Sequence, residues 1–562
     1  MAEVQIIRIC SLGLGVLLLA GQAMSPALAN RGDPAVALNR YVEARLAESS
    51  NELKTAAALY AEGLKEQPDN DLLAGRAYVN AVEVGDFDLA LKAVRTMQSH
   101  GMANPEMPLL LYADAFAQRD WAGTTLAIAE IDALKNFSFL SPFLKAWEET
   151  ARGRDSTAAI AQAQASNTAK YYLEEQLILN TLARGRDKQA LALLAGVVER
   201  DEPRMAPVRL MAAQHFLAEN DQATASEILK MGSSGPEQRL LASIAAGQTK
   251  DVAQKITPAI GLAFLFQRLS SDLAVQQAEF LALVMAQSGK RVADQSDYSH
   301  LILGRAYAES ESLELAVAEF AEIPPASPYY LVGISSRIAS LVADGDFDQA
   351  IAGLDIAIEN NPDAPELHIL KGQSLQAKGD NAAAAGSFQT AIALGEKLGR
   401  SDALMANYWL ALGGVQEQAG MWPEGLQSLQ KANELLPNSP SILNYLGYSQ
   451  LERRENQEAA VAAIKQAHDL RSSSPAITDS LGWAYFIIGD HDQAVTYLES
   501  AREGQPEDPT INEHLGDAYW TVGRRYEARY AWRSAKLFAE GEDMQRLASK
   551  IDLGLRPDLV SP

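Results

Sequence analysis

The fold turns on Asp479-Ser480-Leu481-Gly482-Trp483-Ala484-Tyr485. Thirty-four residues after Leu481-Gly482 and Tyr485, the chain places Leu515-Gly516 and Tyr519 in the same frame. The residues that follow also match. Ala494, Leu498, Ala501 and Pro506 trail the first stretch; Ala528, Trp532 and Ala535 trail the second. Working backward, the frame finds Leu446-Gly447 with Ala460, Ile464 and Ala467. Before that come Trp409, Leu412-Gly413, Gly425, Leu429, Ala432 and Pro437, and earlier still Leu303-Gly304 with Tyr307, Ala316 and Phe320.

The spacing has a mechanical meaning. Abundant Ala and Leu with few β-branched runs predict helix. A small residue in one helix, and an Ala twelve positions later in the next, let two antiparallel helices approach closely. The large residue four further on plugs into the next pair, and Pro ends the second helix because it lacks the N–H that would continue the ladder. The turn inside each pair is written as Gly85-Asp86-Phe87-Asp88, Gly345-Asp346-Phe347-Asp348 and Gly489-Asp490-His491-Asp492. There Gly supplies a left-handed C-cap and the acids cap the next helix.

This pattern resembles the tetratricopeptide repeat (TPR), W-x2-L-G-x2-Y…A-x3-F…P. The resemblance implies an all-α TPR solenoid, a right-handed superhelix of roughly fifteen helix-turn-helix pairs. The frame is sharp over residues 297–542 and blurred before. Residues 37–104 fit two repeats, with Ala56, Tyr60 and Pro68, then Ala90 and Val94. Residues 105–290 read as degenerate pairs, with Trp121, Ala190 with Leu194, and Ala225 with Leu229. Ser233-Ser234-Gly235-Pro236 is their clearest break, and the longer spacing around Gly395 to Ser401 predicts an extended helix or loop. Residues 543–562 are expected as a tail, frayed after Asp552. The runs Asp479 to Tyr485, His514-Leu515-Gly516-Asp517-Ala518-Tyr519-Trp520 and Gly523-Arg524-Arg525-Tyr526-Glu527-Ala528 are similar to proteobacterial TPR proteins of the cell envelope. One similar group consists of lipoprotein adaptors that assemble a carboxy-terminal processing protease with its substrates. That likeness implies an adaptor role.

The N-terminus predicts export. Arg8, the apolar run Leu12 to Ala20 and the small-x-small signal Ala27-Leu28-Ala29 compose a signal peptide over residues 1–29, with Asn30 beginning the mature chain. Cys10 is the only cysteine. It precedes the apolar run and follows Ile7-Arg8-Ile9, which is not a lipobox, so lipid anchoring of the adaptor type is not expected. The next most apolar stretch, Ala259 to Phe266, is far shorter than the roughly 20 residues of a membrane span. The formal charge is −24, from 72 acidic and 48 basic residues. Such a surface repels phosphate backbones and anionic lipid. Nucleic acid is excluded as a partner, and a basic or apolar peptide is favoured.

In a TPR array the first helix of each pair lines the concave face. Projecting the helical period places Asn444, Tyr448, Asp479, Trp483, Phe486, Glu513, Asp517 and Trp520 there. Aromatics beside carboxylates suit an extended peptide with basic and apolar side chains; alternatively, Tyr448 and Trp483 bury themselves between neighbouring repeats. The acids at 479 and 513 argue against capture of an acidic C-terminal tail. Arg525, Arg529 and Arg533, with Lys536 one turn on, form a basic row on an outer helix. Two readings stand: a solvated capping face, or a docking patch for an acidic partner or membrane surface.

Chemistry is sparse. The seven histidines are scattered without H-x3-H or H-E-x-x-H spacing, so neither a metal nor a cofactor is expected. His491, in an Asp-rich turn, is expected to be exposed. There is no phosphate loop, nucleophile elbow or dinucleotide fingerprint. The sequence therefore predicts a non-catalytic periplasmic scaffold or adaptor whose partners are other proteins, an envelope protease or cell-wall enzymes among them. The alternatives are a self-associating structural component of the envelope and, further off, an enzyme hidden in residues 104–290.

Overall fold

The computed structural model describes residues 33–102, 104–197, 203–294 and 296–561. The signal peptide expected at residues 1–29 lies outside the described residues. Among the described residues there are thirty α-helices and no strand, and no helix is long and apolar enough to cross a membrane. The chain forms two compact units. Of the described residues, those up to Tyr112 with Ala122–Ser138 build one, and Ala113–Trp121 with those from Phe139 onward build the other.

In the larger unit the helices from Asp297 onward pair as antiparallel hairpins in series. First helices begin on proline at Pro365, Pro440, Pro475 and Pro509, where the missing N–H costs no hydrogen bond. Second helices run 14 residues each at Trp422–Leu435, Gln457–Leu470, His491–Gly504 and Arg525–Phe538. The inter-helix turns follow the sequence reading. Gly489 takes φ +87°, and Asp490 Oδ1 accepts from Gln493 N at 3.3 Å. Asp346 accepts from Gln349 N at 3.0 Å in the same way.

The glycines mark where the helices of a pair nearly touch. A Cβ on Gly304 would lie 2.6 Å from Phe320, on Gly372 2.5 Å from Phe388, and on Gly482 2.7 Å from Leu498. On Gly516 it would lie 2.3 Å from Trp532. The large residue thus seats on the glycine of its own pair. It also joins the core of the next, since Leu498 packs in one cluster with Leu515, Ala518 and Ala528. These distances are too short for any side chain, so glycine here is steric necessity.

The blurred half uses the same anchors. Ala190, Leu194, Ala225 and Leu229 are buried in the larger unit, and Ala56, Tyr60, Ala90 and Val94 in the smaller. Ser233 and Ser234 lie in the gap after helix Gln222–Leu229, and Gly235-Pro236 open the next helix, Gly235–Ala245. Ser234 Oγ accepts from Glu237 N, and Glu237 accepts from Ser234 N at 2.9 Å, a capping box. A longer interruption follows in the non-helical residues 248–257. The longer spacing near Gly395 extends both flanking helices, Asn381–Lys397 and Asp402–Gln418, to 17 residues.

Residues 543–562, expected as a tail frayed after Asp552, are helical at their start and non-helical over residues 554–561. Residues Gly541–Leu553 form a further helix, with Leu547 and Lys550 buried, and beyond it Ser561 N donates to Asp517 at 3.0 Å.

Candidate functional site

Three successive first helices, Pro440–Glu452, Pro475–Ile487 and Pro509–Thr521, set their inward faces around a cavity of about 400 Å³. Asn444, Tyr448 and Asp479, three of the residues expected on the concave face, line it together with Glu417, Glu452 and Asp508. The sequence reading missed the last three. Their signal was the recurrence of acids near the ends of first helices and at the cap position before Pro509.

The charge of this cavity is only partly neutralised. Arg453 Nη1 lies 2.6 Å from Glu417 Oε1, and Ser449 Oγ donates to the other Glu417 oxygen at 3.0 Å. His514 Nδ1 lies 3.0 Å from both oxygens of Asp479. Asp508 caps its helix through Ile511 N at 2.9 Å, and neither Asp508 nor Glu452 has an ion-pair partner among the described residues. Burial raises the Glu452 carboxyl above the usual carboxylate range, against the Tyr448 hydrogen bond that lowers it. Burial also raises the Tyr448 phenol, with Glu452 and Asp479 adding to the shift. Asn444 Oδ1 is buried with no hydrogen-bond partner among the described residues. The cavity accepts hydrogen bonds and positive charge, between a tyrosine ring and the Ile511 side chain.

The remaining predicted groove residues are elsewhere engaged. Trp483 is fully buried and stacks between Phe486, at 4.6 Å, and the His514 ring, at 4.0 Å. For Trp483 the burial reading is therefore the one the structure supports. Glu513 and Asp517 are covered by the C-terminal helix. Arg546 grips Glu513 through two bonds of 2.8 Å, and Lys550 Nζ reaches both acids. Burial raises the Glu513 carboxyl, but the Arg546 fork and Lys550 outweigh it and hold it below its ordinary range. For Asp517 burial wins and the carboxyl is raised. Trp520 is half-buried, with Gly554 so close that a Cβ there would sit 2.2 Å from the ring. These corrections share one cause: Gly541–Leu553 lies outside the repeat frame, so projecting that frame could not show it covering the end of the groove.

On the outer helix Arg525–Phe538, Arg525 and Arg529 lie over Trp520 at 5.1 and 4.9 Å, and Arg529 Nε donates to Ile551 O at 2.9 Å. Arg533 and Lys536 are exposed. His491, expected to be exposed, is partly covered by the Phe486 ring at 5.3 Å.

In the degenerate region the densest charge cluster is Glu175 with Arg204, at 2.7 Å, and Arg268, at 3.3 Å. Arg204 also bonds Asp272 at 3.0 Å. His215 Nδ1 accepts from Ile256 N at 3.1 Å and its other ring nitrogen lies 3.5 Å from Asp187. Both clusters are internally paired, and neither presents a nucleophile beside a base. Among the described residues no three His, Cys, Asp or Glu converge as a metal site.

Comparison with known proteins agrees with this class of fold. The model of the tetratricopeptide repeat matches residues 338–397, 369–440 and 480–539. A TPR repeat-containing protein of Pseudomonas aeruginosa is 28% identical over 223 residues, 36% of this chain and 33% of that protein. The match spans about a third of that relative's length. Among solved structures, Cut9–Hcn1 of the APC/C is 13% identical with a TM-score of 0.37, covering 92% of this chain and 96% of that one. Yeast Tom70 is 11% identical, with the same TM-score of 0.37 and the same coverage of 92% and 96%. The chain is all-α among the described residues and carries tetratricopeptide repeats. More particularly, its tetratricopeptide repeats include those over residues 338–440 and 480–539.

Proposed function

We propose that this protein is a non-catalytic scaffold of the bacterial envelope that grips basic and apolar peptide segments of partner proteins on its concave TPR surface. The observation that carries the reading is the acidic cavity of about 400 Å³ between three consecutive first helices. A lysine or arginine side chain entering it meets the carboxylates of Glu452 and Asp508, the Asn444 carbonyl and the Tyr448 ring. Such charge-assisted bonds in a partly dehydrated recess are the strong ones. The signal expected at residues 1–29 supports an exported, periplasmic location. The likeness of residues 479–528 to envelope adaptors supports an envelope protease or cell-wall enzymes as partners.

The test is a titration of fluorescent peptides, Lys- or Arg-bearing against their Glu-bearing counterparts, on the protein and on E452Q/D508N. Asn retains the helix cap at 508, so the double variant removes charge without removing the fold. Cationic peptides are expected to bind and to lose on the order of tenfold in affinity on the variant. Equal binding of acidic and basic peptides rejects the reading.

A further inference from the structure

The helix Arg525–Phe538 buries Ala528, Ala531, Trp532 and Ala535 and leaves a second organised face in solvent. Tyr526, Tyr530, Arg533 and Leu537 follow one another at four, three and four residues, which aligns them as one stripe along a helix. Tyr526 is 83% exposed, Tyr530 67% and Leu537 80%. Arg525, Arg529 and Lys536 run along one edge of this stripe, and none of these cations nor Arg533 is ion-paired among the described residues. By contrast Arg524, just before the helix, is paired to Glu499 and Glu527. A row of cations without ion pairs beside exposed aromatics is out of character for a chain of net charge −24.

We propose that this outer face docks an acidic amphipathic helix of another protein, independently of the concave cavity. The stripe is one helix wide and about three turns long, the footprint of a single partner helix with apolar residues at every third or fourth position. The cation edge calls for carboxylates along one flank of that partner. A second copy offering the same face does not satisfy it. Antiparallel pairing about a two-fold axis sets the two cation edges side by side, and parallel pairing opposes each edge with the single acid Glu527. An extended anionic membrane would face the repulsion of the whole acidic chain, which a short acidic helix escapes.

The experiment uses the full chain and a designed helical peptide with Leu at i, i+3, i+4 and i+7 and Glu on one flank. Its charge-inverted Lys version is the control. Two variants are compared: R525E/R533E/K536E, which spares the Arg529 bond to Ile551, and Y526S/Y530S/L537S. Circular dichroism and unchanged binding of cationic peptides in the concave cavity show that each variant is folded. The wild type is expected to bind the acidic helix, to lose on the order of tenfold or more on either variant, and to bind less tightly as salt rises. Unchanged affinity of the acidic helix on both variants, or an equal loss of the Lys peptide on Y526S/Y530S/L537S and on R525E/R533E/K536E, overturns the proposal. So does patch-dependent binding to phosphatidylglycerol vesicles, or patch-dependent dimerisation in sedimentation, in place of peptide binding.

Discussion

Lys550 and Asp517, 33 residues apart, meet in the core, with Lys550 Nζ 2.9 and 2.8 Å from the two Asp517 oxygens and both side chains inaccessible to solvent. Glu513 adds a third contact at 2.6 Å, and Trp532 Nε1 donates to Asp517 at 2.8 Å. Lys550→Met removes the cation and strands the buried Asp517 carboxylate, while Glu513 keeps its Arg546 fork. A loss of about 3–5 kcal/mol is expected. Urea unfolding monitored by tryptophan fluorescence checks it, and a loss below about 1 kcal/mol, as for an exposed pair, contradicts the role.

Gly516 and Gly386 separate steric need from helix propensity. A Cβ at 516 meets the buried Trp532 ring at 2.3 Å, whereas at 386 nothing lies within 4 Å. Gly516→Ala is expected to destabilise by about 1–3 kcal/mol through overpacking. Gly386→Ala, inside helix Asn381–Lys397, is expected to stabilise by about 0.5–1 kcal/mol. Chemical denaturation of both variants reads the opposite signs directly.

The repeat anchors were readable because a Gly–aromatic contact dictates residue size at a fixed interval. That logic reached the blurred half too, where Ala190 and Ala225 remain buried although their neighbours have drifted. Part of the cavity was readable as well, since Asn444, Tyr448 and Asp479 follow from helical period alone. The fate of Glu513, Asp517 and Trp520 was not. It depends on the helix that follows the array, whose Arg546 and Lys550 carry no repeat signature, although Met544, Leu547 and Ile551 already trace an amphipathic face. Trp483 was ambiguous because an inward first-helix position faces either a ligand or the next helix. The stacking of His514 on its ring decides for the latter.

Glu175 makes stability depend on pH. Burial pushes its carboxyl up to about 7, further than Arg268 and Arg204 pull it down. The folded chain therefore holds this proton over a range in which the unfolded chain has released it. The contribution is fully present below the ordinary glutamate range and is lost as pH rises toward about 7. Glu175→Gln, which cannot ionise, is expected to flatten the fall in melting temperature between about pH 4.5 and 7. Identical slopes in wild type and variant would show that Glu175 titrates normally.

Whether partners are held at the acidic cavity of the concave face is decided by site-specific photo-crosslinking in intact cells. A photoreactive amino acid replaces Tyr448, and in a control strain replaces Lys465, on the second helix Gln457–Leu470. Mass spectrometry of the adducts is expected to find partner-protein peptides carrying Lys or Arg at the crosslink from position 448. Those adducts should be lost when E452Q/D508N is added. Partner adducts from position 465 alone, or adducts at 448 that persist in E452Q/D508N, would contradict binding at the cavity.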